Sequence, residues 1–381
     1  MQYTLSPETF FVAELFNPVL TERGKYYYYL LEKKGLSHKQ AVKKISNASF
    51  LCGANDCNSN LGDTKPPQIQ TEFCGAENHR SDLRDTKPPH IAMWFCGIKD
   101  KHATTKQWVC TKEKIDDIEE EFFKMKYIGQ SNEKVFVGKH KGNAFRVSVE
   151  LDEKEEKSIK HFKAKNELTA NYFGEQRFNQ KNLEIGELLA KEDYEGALKL
   201  FLTQVTGFDS DLSREMKKNI SEKWGKWKEL AESDIFKETK KRKVFDYLSE
   251  NEGDFKGAFK ASEPRSVALI VKTAQAFRFN VELNKMALEK KPNNAKSLIV
   301  GQDLNLFANK GMKREITIEP TEFEQNFRKG TLERRTFFAA QKFKAKKLGK
   351  GKYELCFELG KGQYATIFLR FLDKWLEKNK K

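Results

Sequence analysis

Gly97-Ile-Lys-Asp-Lys-His-Ala-Thr-Thr-Lys-Gln-Trp108 sets a single carboxylate, Asp100, between Lys99 and Lys101. Flanking ammonium groups favour the ionised carboxylate and draw a phosphate backbone to the same place. An ionised aspartate beside bound nucleic acid has the chemistry of a covalent nucleophile. Taken alone, a Lys-Asp-Lys triplet is more often a solvated turn, so its meaning depends on its surroundings.

Immediately upstream the chain repeats itself. Phe73-Cys74-Gly75 and Phe95-Cys96-Gly97 match, Leu51-Cys52-Gly53 is a near copy, and the three cysteines are 22 residues apart. Asp63-Thr64-Lys65-Pro66-Pro67 recurs at the same offset as Asp85-Thr86-Lys87-Pro88-Pro89. Two copies and a stub fall short of the three or so units that a solenoid needs. Joining Gly53 to Ile98 restores a short strand, Asn47–Gly53, running into the polar loop. Residues 54–97 are therefore expected to be a surface insertion without a core of their own, dispensable for folding. Cys52, Cys57, Cys74, His79, His90 and Cys96 include ligand types for zinc, but no Cys-x-x-Cys spacing accompanies them, and no metal site is expected.

The whole chain is basic. It has 381 residues with 70 Lys and Arg against 55 Asp and Glu, a formal net charge of +15, which suggests a polyanion partner. Its 38% hydrophobic content and 30 Phe are too much for a disordered basic tail, and the length suits two or three domains. No segment approaches the ~18 to 20 apolar residues of a membrane helix. Met1–Phe10 lacks a basic stretch leading into an apolar run, so a secretory signal is not expected, and six cysteines read as reduced thiols in a cytoplasmic protein.

Periodicity divides the rest. Ser37 and Gln40 form a capping box before a helix carrying Ala41, Val42 and Ile45. Ile115, Ile118, Phe122 and Met125 step by three and four, predicting a second helix. Phe145, Val147, Val149 and Leu151 alternate as a strand, as do Tyr353, Leu355, Phe357 and Leu359, which precede a helical stripe of Tyr364, Ile367, Phe368 and Phe371. From about Leu183 to Leu288 the pattern is helical almost throughout. A helical block bracketed by mixed segments suggests one domain inserted into another. Nucleotide-binding glycine loops, His-Glu-x-x-His and Gly-x-Ser-x-Gly do not occur, which removes the usual signatures of nucleotide hydrolysis, zinc proteolysis and serine hydrolysis.

Six separated segments resemble the TruD family of tRNA pseudouridine synthases. Gly97-x-Lys-Asp-Lys-His-Ala-x-Thr is similar to its catalytic loop, Lys141-Gly-Asn-Ala-Phe145 to its Gly-Asn-x-Phe strand, and Asn171-Tyr-Phe-Gly-Glu-Gln-Arg-Phe178 to its most distinctive signature. Pro7-Glu-Thr-Phe10 with Val12 and Glu14, Ala274-Gln-Ala-Phe-Arg-Phe-Asn280, and Gly362-Gln-Tyr-Ala-Thr366 with Leu369 and Arg370 complete the set. Ala170 and Asn179 replace the proline and glycine that usually flank the central signature. Thr4-Leu5-Ser6 lacks the basic residue that often precedes the N-terminal motif, leaving the partner of Asp100 unassigned.

The resemblance implies an α+β fold: a pseudouridine synthase catalytic domain, with a mixed and mostly antiparallel sheet flanked by helices, interrupted by an α-rich TruD-specific domain. The expected division is 1–180 and 306–381 for the catalytic domain and 181–305 for the insertion. It further implies isomerisation of a tRNA uridine, uridine 13 of the D arm, by a monomer with no metal or organic cofactor. Asp100 is the implied nucleophile, and Phe10, Asn143, Phe145, Tyr364, Lys99, Lys101 and Arg177 the implied substrate-binding residues. A catalytically impaired RNA-binding protein of the same fold is the alternative that the neighbouring insertion raises.

Overall fold

In the computed structural model, residues 1–54, 91–99, 101–178, 180–205, 209–262, 264–288, 306–308, 312–327 and 330–380 are described. The chain divides into two compact units, Met1–Glu167 with Ala339–Lys381, and Leu168–Phe338. No described helix is long and apolar enough to cross a membrane.

The strands are β1 (Phe10–Leu15), β2 (Tyr26–Lys34), β3 (Met93–Phe95), β4 (Thr104–Thr111), β5 (Ile118–Glu120), β6 (Phe123–Ser131), β7 (Gly142–Glu150), β8 (Thr169–Ala170), β9 (Glu315–Ile318), β10 (Leu332–Arg335), β11 (Phe337–Phe338), β12 (Gln341–Lys347) and β13 (Lys352–Gly360). The first unit is built on a sheet of order β12-β13-β7-β1-β4-β2-β6-β5, with β3 also pairing β4. Only β1 and β4 run parallel among its described pairs. The sheet is thus mixed and mostly antiparallel.

One face carries Phe10, Val12 and Glu14 of β1, opposite Val147, Phe145 and Asn143 of β7, which in turn face Leu355, Phe357 and Leu359 of β13. Helix α1 (His38–Ala54) packs Ala41, Val42 and Ile45 against Tyr29, Leu31, Phe95 and Val109 of that face. The helix Ala365–Lys378 sets Phe368 against Phe357, ring centroids 4.7 Å apart. Between these two helical covers the face turns polar, with Thr105, Gln107 and Glu14 buried in it.

Three sequence expectations are corrected. The spacing of Ile115, Ile118, Phe122 and Met125 belongs to a hairpin, not a helix: Ile118 pairs with Met125 and Glu120 with Phe123. Phe123 and Met125 alternate inward while Phe122 is exposed in the turn, so a step of four bridged two strands. Asn47–Gly53 is likewise not a strand, because α1 continues through it. The strand leading to Gly97 is β3, with Met93, Trp94 and Phe95 all buried, so the end of the 54–97 segment is part of the sheet. Residues 55–90, including Cys57, Cys74, His79 and His90, lie outside the described residues.

The second unit is largely helical: α2 (Glu153–Ile159) closes the first part of the chain, and α3 (Gln180–Ala190), α4 (Tyr194–Thr203), α5 (Asp211–Glu222), α6 (Trp227–Glu232), α7 (Arg242–Glu250), α8 (Phe255–Ala261), α9 (Pro264–Leu288) and α10 (Glu322–Gln325) follow within it. The helix Ala365–Lys378 is α11. Leu198, Phe245, Phe259, Val267 and Ile270 centre this unit's core. The pairing of β8 with β11 joins its first and last residues, which is why the unit starts at 168 and ends at 338 rather than at the first and last helices.

Candidate active site

β1 and β3 lie end to end along one edge of β4. β1 pairs in parallel with Thr104, Thr105 and Lys106, and β3 pairs antiparallel with Val109, Cys110 and Thr111. Where they meet, no described strand lies on that edge of β4 beside Gln107 and Trp108, and side chains take over. The Trp108 N–H donates to Glu14 Oε2 at 2.8 Å, and Gln107 Nε2 donates to the Gly97 carbonyl at 3.2 Å. A buried backbone N–H without an acceptor is costly, so a carboxylate at an inward position of β1 has a structural reason to be there.

That carboxylate also holds the loop. Lys99 Nζ lies 2.8 Å from Glu14 Oε1, and the two side chains are 8% and 0% exposed. Lys33, fully buried on β2, donates to the Leu36 carbonyl at 2.6 Å and the Lys99 carbonyl at 3.4 Å. Beyond the loop, Thr104 Oγ1 donates to the Pro7 carbonyl at 2.7 Å. The segment carrying Lys99 is thus fastened to β1, β2 and β4, and Asp100, the next residue, lies outside the described residues.

His140 and Cys96 complete the cluster. Burial, then the positive charges of Lys99 and Lys361, hold the His140 imidazole down at about 4. Burial and the Glu14 charge push the Cys96 thiol up to about 12. Burial also raises Glu14, against the pull of Lys99 and the Trp108 N–H. Glu14, Cys96 and His140 bring possible ligand atoms within 4.8 Å of one another. The ammonium of Lys99 already supplies the positive charge at the Glu14 end of that set, and the thiol holds its proton.

The implied substrate residues fall into distinct settings. Asn143 sits opposite Glu14 in the β1–β7 register, and its Oδ1 is buried without a hydrogen-bond partner among the described residues. Phe10 and Phe145 are both buried and stack on each other, centroids 6.0 Å apart at 10°, and Phe145 stacks on Phe357 at 5.3 Å. Tyr364 is half-buried at the N-cap of α11, and Lys101 is exposed. Lys99 is engaged with Glu14 rather than presented to solvent. Arg177 belongs to the second unit, half-buried with its guanidinium 5.8 Å from the Phe173 ring.

In that second unit two of the recognised motifs meet. Asn280 accepts from the Phe173 N–H at 2.8 Å and donates to the Phe173 carbonyl at 3.0 Å. Tyr172 Oη donates to Asn284 at 2.9 Å, while Arg334 donates to Asn171 Oδ1 at 2.7 Å and lies 4.1 Å from the Phe173 ring. The Asn-Tyr-Phe signature therefore ties β8 to α9 and β10. Sequence reasoning missed Lys33, Gln107 and His140 altogether, and placed Glu14 in a motif without a role. The signal for Glu14 was available, because a carboxylate at an inward position of Phe10-Phe-Val-Ala-Glu14 interrupts the apolar alternation.

The family model for TruD, tRNA pseudouridine synthase D, matches residues 84–325. The tRNA pseudouridine synthase D of Aquifex aeolicus is 25% identical, with 96% of each chain covered. A probable tRNA pseudouridine synthase D 1 of Methanococcus maripaludis is 24% identical over 76% of this chain and 67% of its own length. The crystal structure of a putative tRNA pseudouridine synthase D from Methanosarcina mazei shares the fold, with a TM-score of 0.55 at 18% identity over 98% of this chain and 94% of that one. With the family model spanning well over half of the sequence, and its mixed sheet and helices matched by a solved relative, the chain belongs to the TruD family of tRNA pseudouridine synthases, an isomerase family.

Proposed function

We propose that the protein converts a tRNA uridine, uridine 13 of the D arm, to pseudouridine, with Asp100 as nucleophile and no cofactor. The observation that supports this most is the fastening of Lys99, the residue before Asp100, to the sheet through Glu14. Rigid support of a reacting group is where much of an enzyme's rate comes from. In the reaction the N1–C1′ bond breaks, the uracil turns, a C5–C1′ bond forms, and the C5 proton leaves as N1 gains one. Atoms and electrons balance without an external reductant, oxidant or energy source. Asp100 attacks C1′ or uracil C6, and both routes need the target base out of its stack. Asn143, with a buried amide oxygen beside Glu14, is suited to the edge of an extruded base.

Asp100→Asn tests the reading. Pseudouridine mapping in tRNA should show formation by the wild type and at least a thousandfold less by the variant, with tRNA binding within about twofold. Turnover by Asp100→Asn near wild type removes the nucleophile assignment. Binding without turnover in the wild type identifies an impaired RNA-binding member of the fold.

A further inference from the structure

We infer that the lysine-rich edge of the first unit, β12 with the turn to β13 and the adjoining end of α2, is a docking surface for the phosphate backbone of RNA outside the reacting centre. The inference rests on the RNA-directed reading above. Residues 341–353 contain six lysines and residues 157–166 contain four, and neither stretch has an acidic residue. These ten charges compare with +15 for the whole chain.

The fold brings the two stretches together. Phe162 meets Phe343 with ring centroids 4.9 Å apart, and a groove of about 370 Å³ between them is lined by Lys160, Lys344, Lys347 and Tyr353. Lys347 is paired with Glu156 and Lys342 with Glu358. Lys160, Lys163, Lys344 and Lys346 are exposed and make no ion pair with a described residue. Like charges gathered this closely repel one another, so the patch weakens the isolated protein and suits a polyanion.

An edge strand often carries lysine to prevent pairing with another sheet. That accounts for β12 but not for Lys157–Lys165, which lie in a helix end and a loop. β12 is three strands from β1, about 14 Å at the usual strand spacing. Over such a span a duplex presents roughly eight phosphate charges, at one per about 1.7 Å. An RNA that delivers a nucleotide to the Glu14–Lys99 region can therefore also lie along this edge.

The test compares two quadruple variants. One replaces Lys160, Lys163, Lys344 and Lys346 with Ala. The other removes four lysines from the β4–β5 connection and β6, at Lys112, Lys114, Lys124 and Lys126, all exposed, of which Lys124 is paired with Glu119. Affinity for unmodified tRNA is measured from 50 to 200 mM salt, beside the single-turnover rate at saturating tRNA. The first variant should bind at least tenfold more weakly at low salt. Its slope of log affinity against log salt should be shallower by about 0.9 for each duplex phosphate that it no longer neutralises. Its saturated rate and melting temperature should match wild type, and the second variant should keep the wild-type slope. Equal weakening in both variants, or no change in the first, overturns the surface. If the wild type shows the salt slope yet forms no pseudouridine, the surface stands and the activity falls.

Discussion

Leu51-Cys52-Gly53 and Phe95-Cys96-Gly97 are near copies with opposite structures. The first continues α1, and the second follows β3 into the site. The difference lies in what precedes each copy. A helix capped by Ser37 and Gln40 propagates into the first at little cost, since each further residue adds a bond to a nucleus already formed. Pro88-Pro89 stands before the second, where helix is disfavoured, and the unpaired edge of β4 offers a ladder instead. Three residues of sequence do not specify a strand. A vacant strand edge does.

The sharpest way to break that comparison is to make the first copy replace the second. Deleting 54–97 leaves Ser49–Gly53 as the only source of β3 and removes buried Met93, Trp94 and Phe95. Loss of a buried Trp or Phe alone costs about 3–5 kcal/mol, so the product should be unfolded or insoluble. Deleting 54–75 keeps β3 and leaves residues 76–90 to connect it to α1. That variant should melt within a few degrees of wild type by circular dichroism. A soluble, cooperative 54–97 deletion would show that Ser49–Gly53 can change from helix to strand.

A smaller effect is expected where the two strands meet. Glu14→Ala leaves the Lys99 ammonium and the Trp108 N–H buried without their acceptor, costing about 3–5 kcal/mol in urea denaturation. Glu14→Gln with Lys99→Met should recover most of that stability without recovering pseudouridine formation. Recovery of both would mean that the ion pair supports the sheet but does not position the loop.

His140 should give the smallest effect. Its imidazole titrates at about 4 when folded against an ordinary 6.5 when unfolded. Between those values the unfolded chain binds a proton that the folded chain refuses, so stability falls as pH drops from about 6.5 to 4. Lys99, Lys361, Glu14 and Cys96 are the groups that face it. In a melting series over that range, His140→Gln should show a shallower acid decline than wild type, and identical slopes would reject the assignment.

Much of the fold was legible. The alternation of Phe145 to Leu151 and of Tyr353 to Leu359 gave β7 and β13, and the capping box gave the start of α1. The hairpin at 118–131 was not legible, because two short strands with a tight turn mimic helical spacing. Of the candidate residues, Lys99 and Asn143 were visible in motifs, and the structure brings both to Glu14, Lys99 as its ion-pair partner and Asn143 opposite it in the strand register. Lys33, Gln107 and His140 escaped because their settings come from the meeting of β1 and β2 with the distant β3–β4 segment and the approach to β7.

The burial of β3 bears on how the duplicated stretch has diverged. Aligning the two units sets Thr71-Glu72-Phe73 against Met93-Trp94-Phe95. An acid stands in one copy where a buried indole stands in the other. A duplication is redundant only while neither copy is committed. The second supplies a buried strand, and the residues at the matching positions of the first, Thr71 and Glu72, are ones that the interior of the sheet would reject. The units are therefore not interchangeable: loss of 54–75 would leave Met93–Phe95 in place, whereas loss of 76–97, equal in length, would bring Glu72 to the position of Trp94.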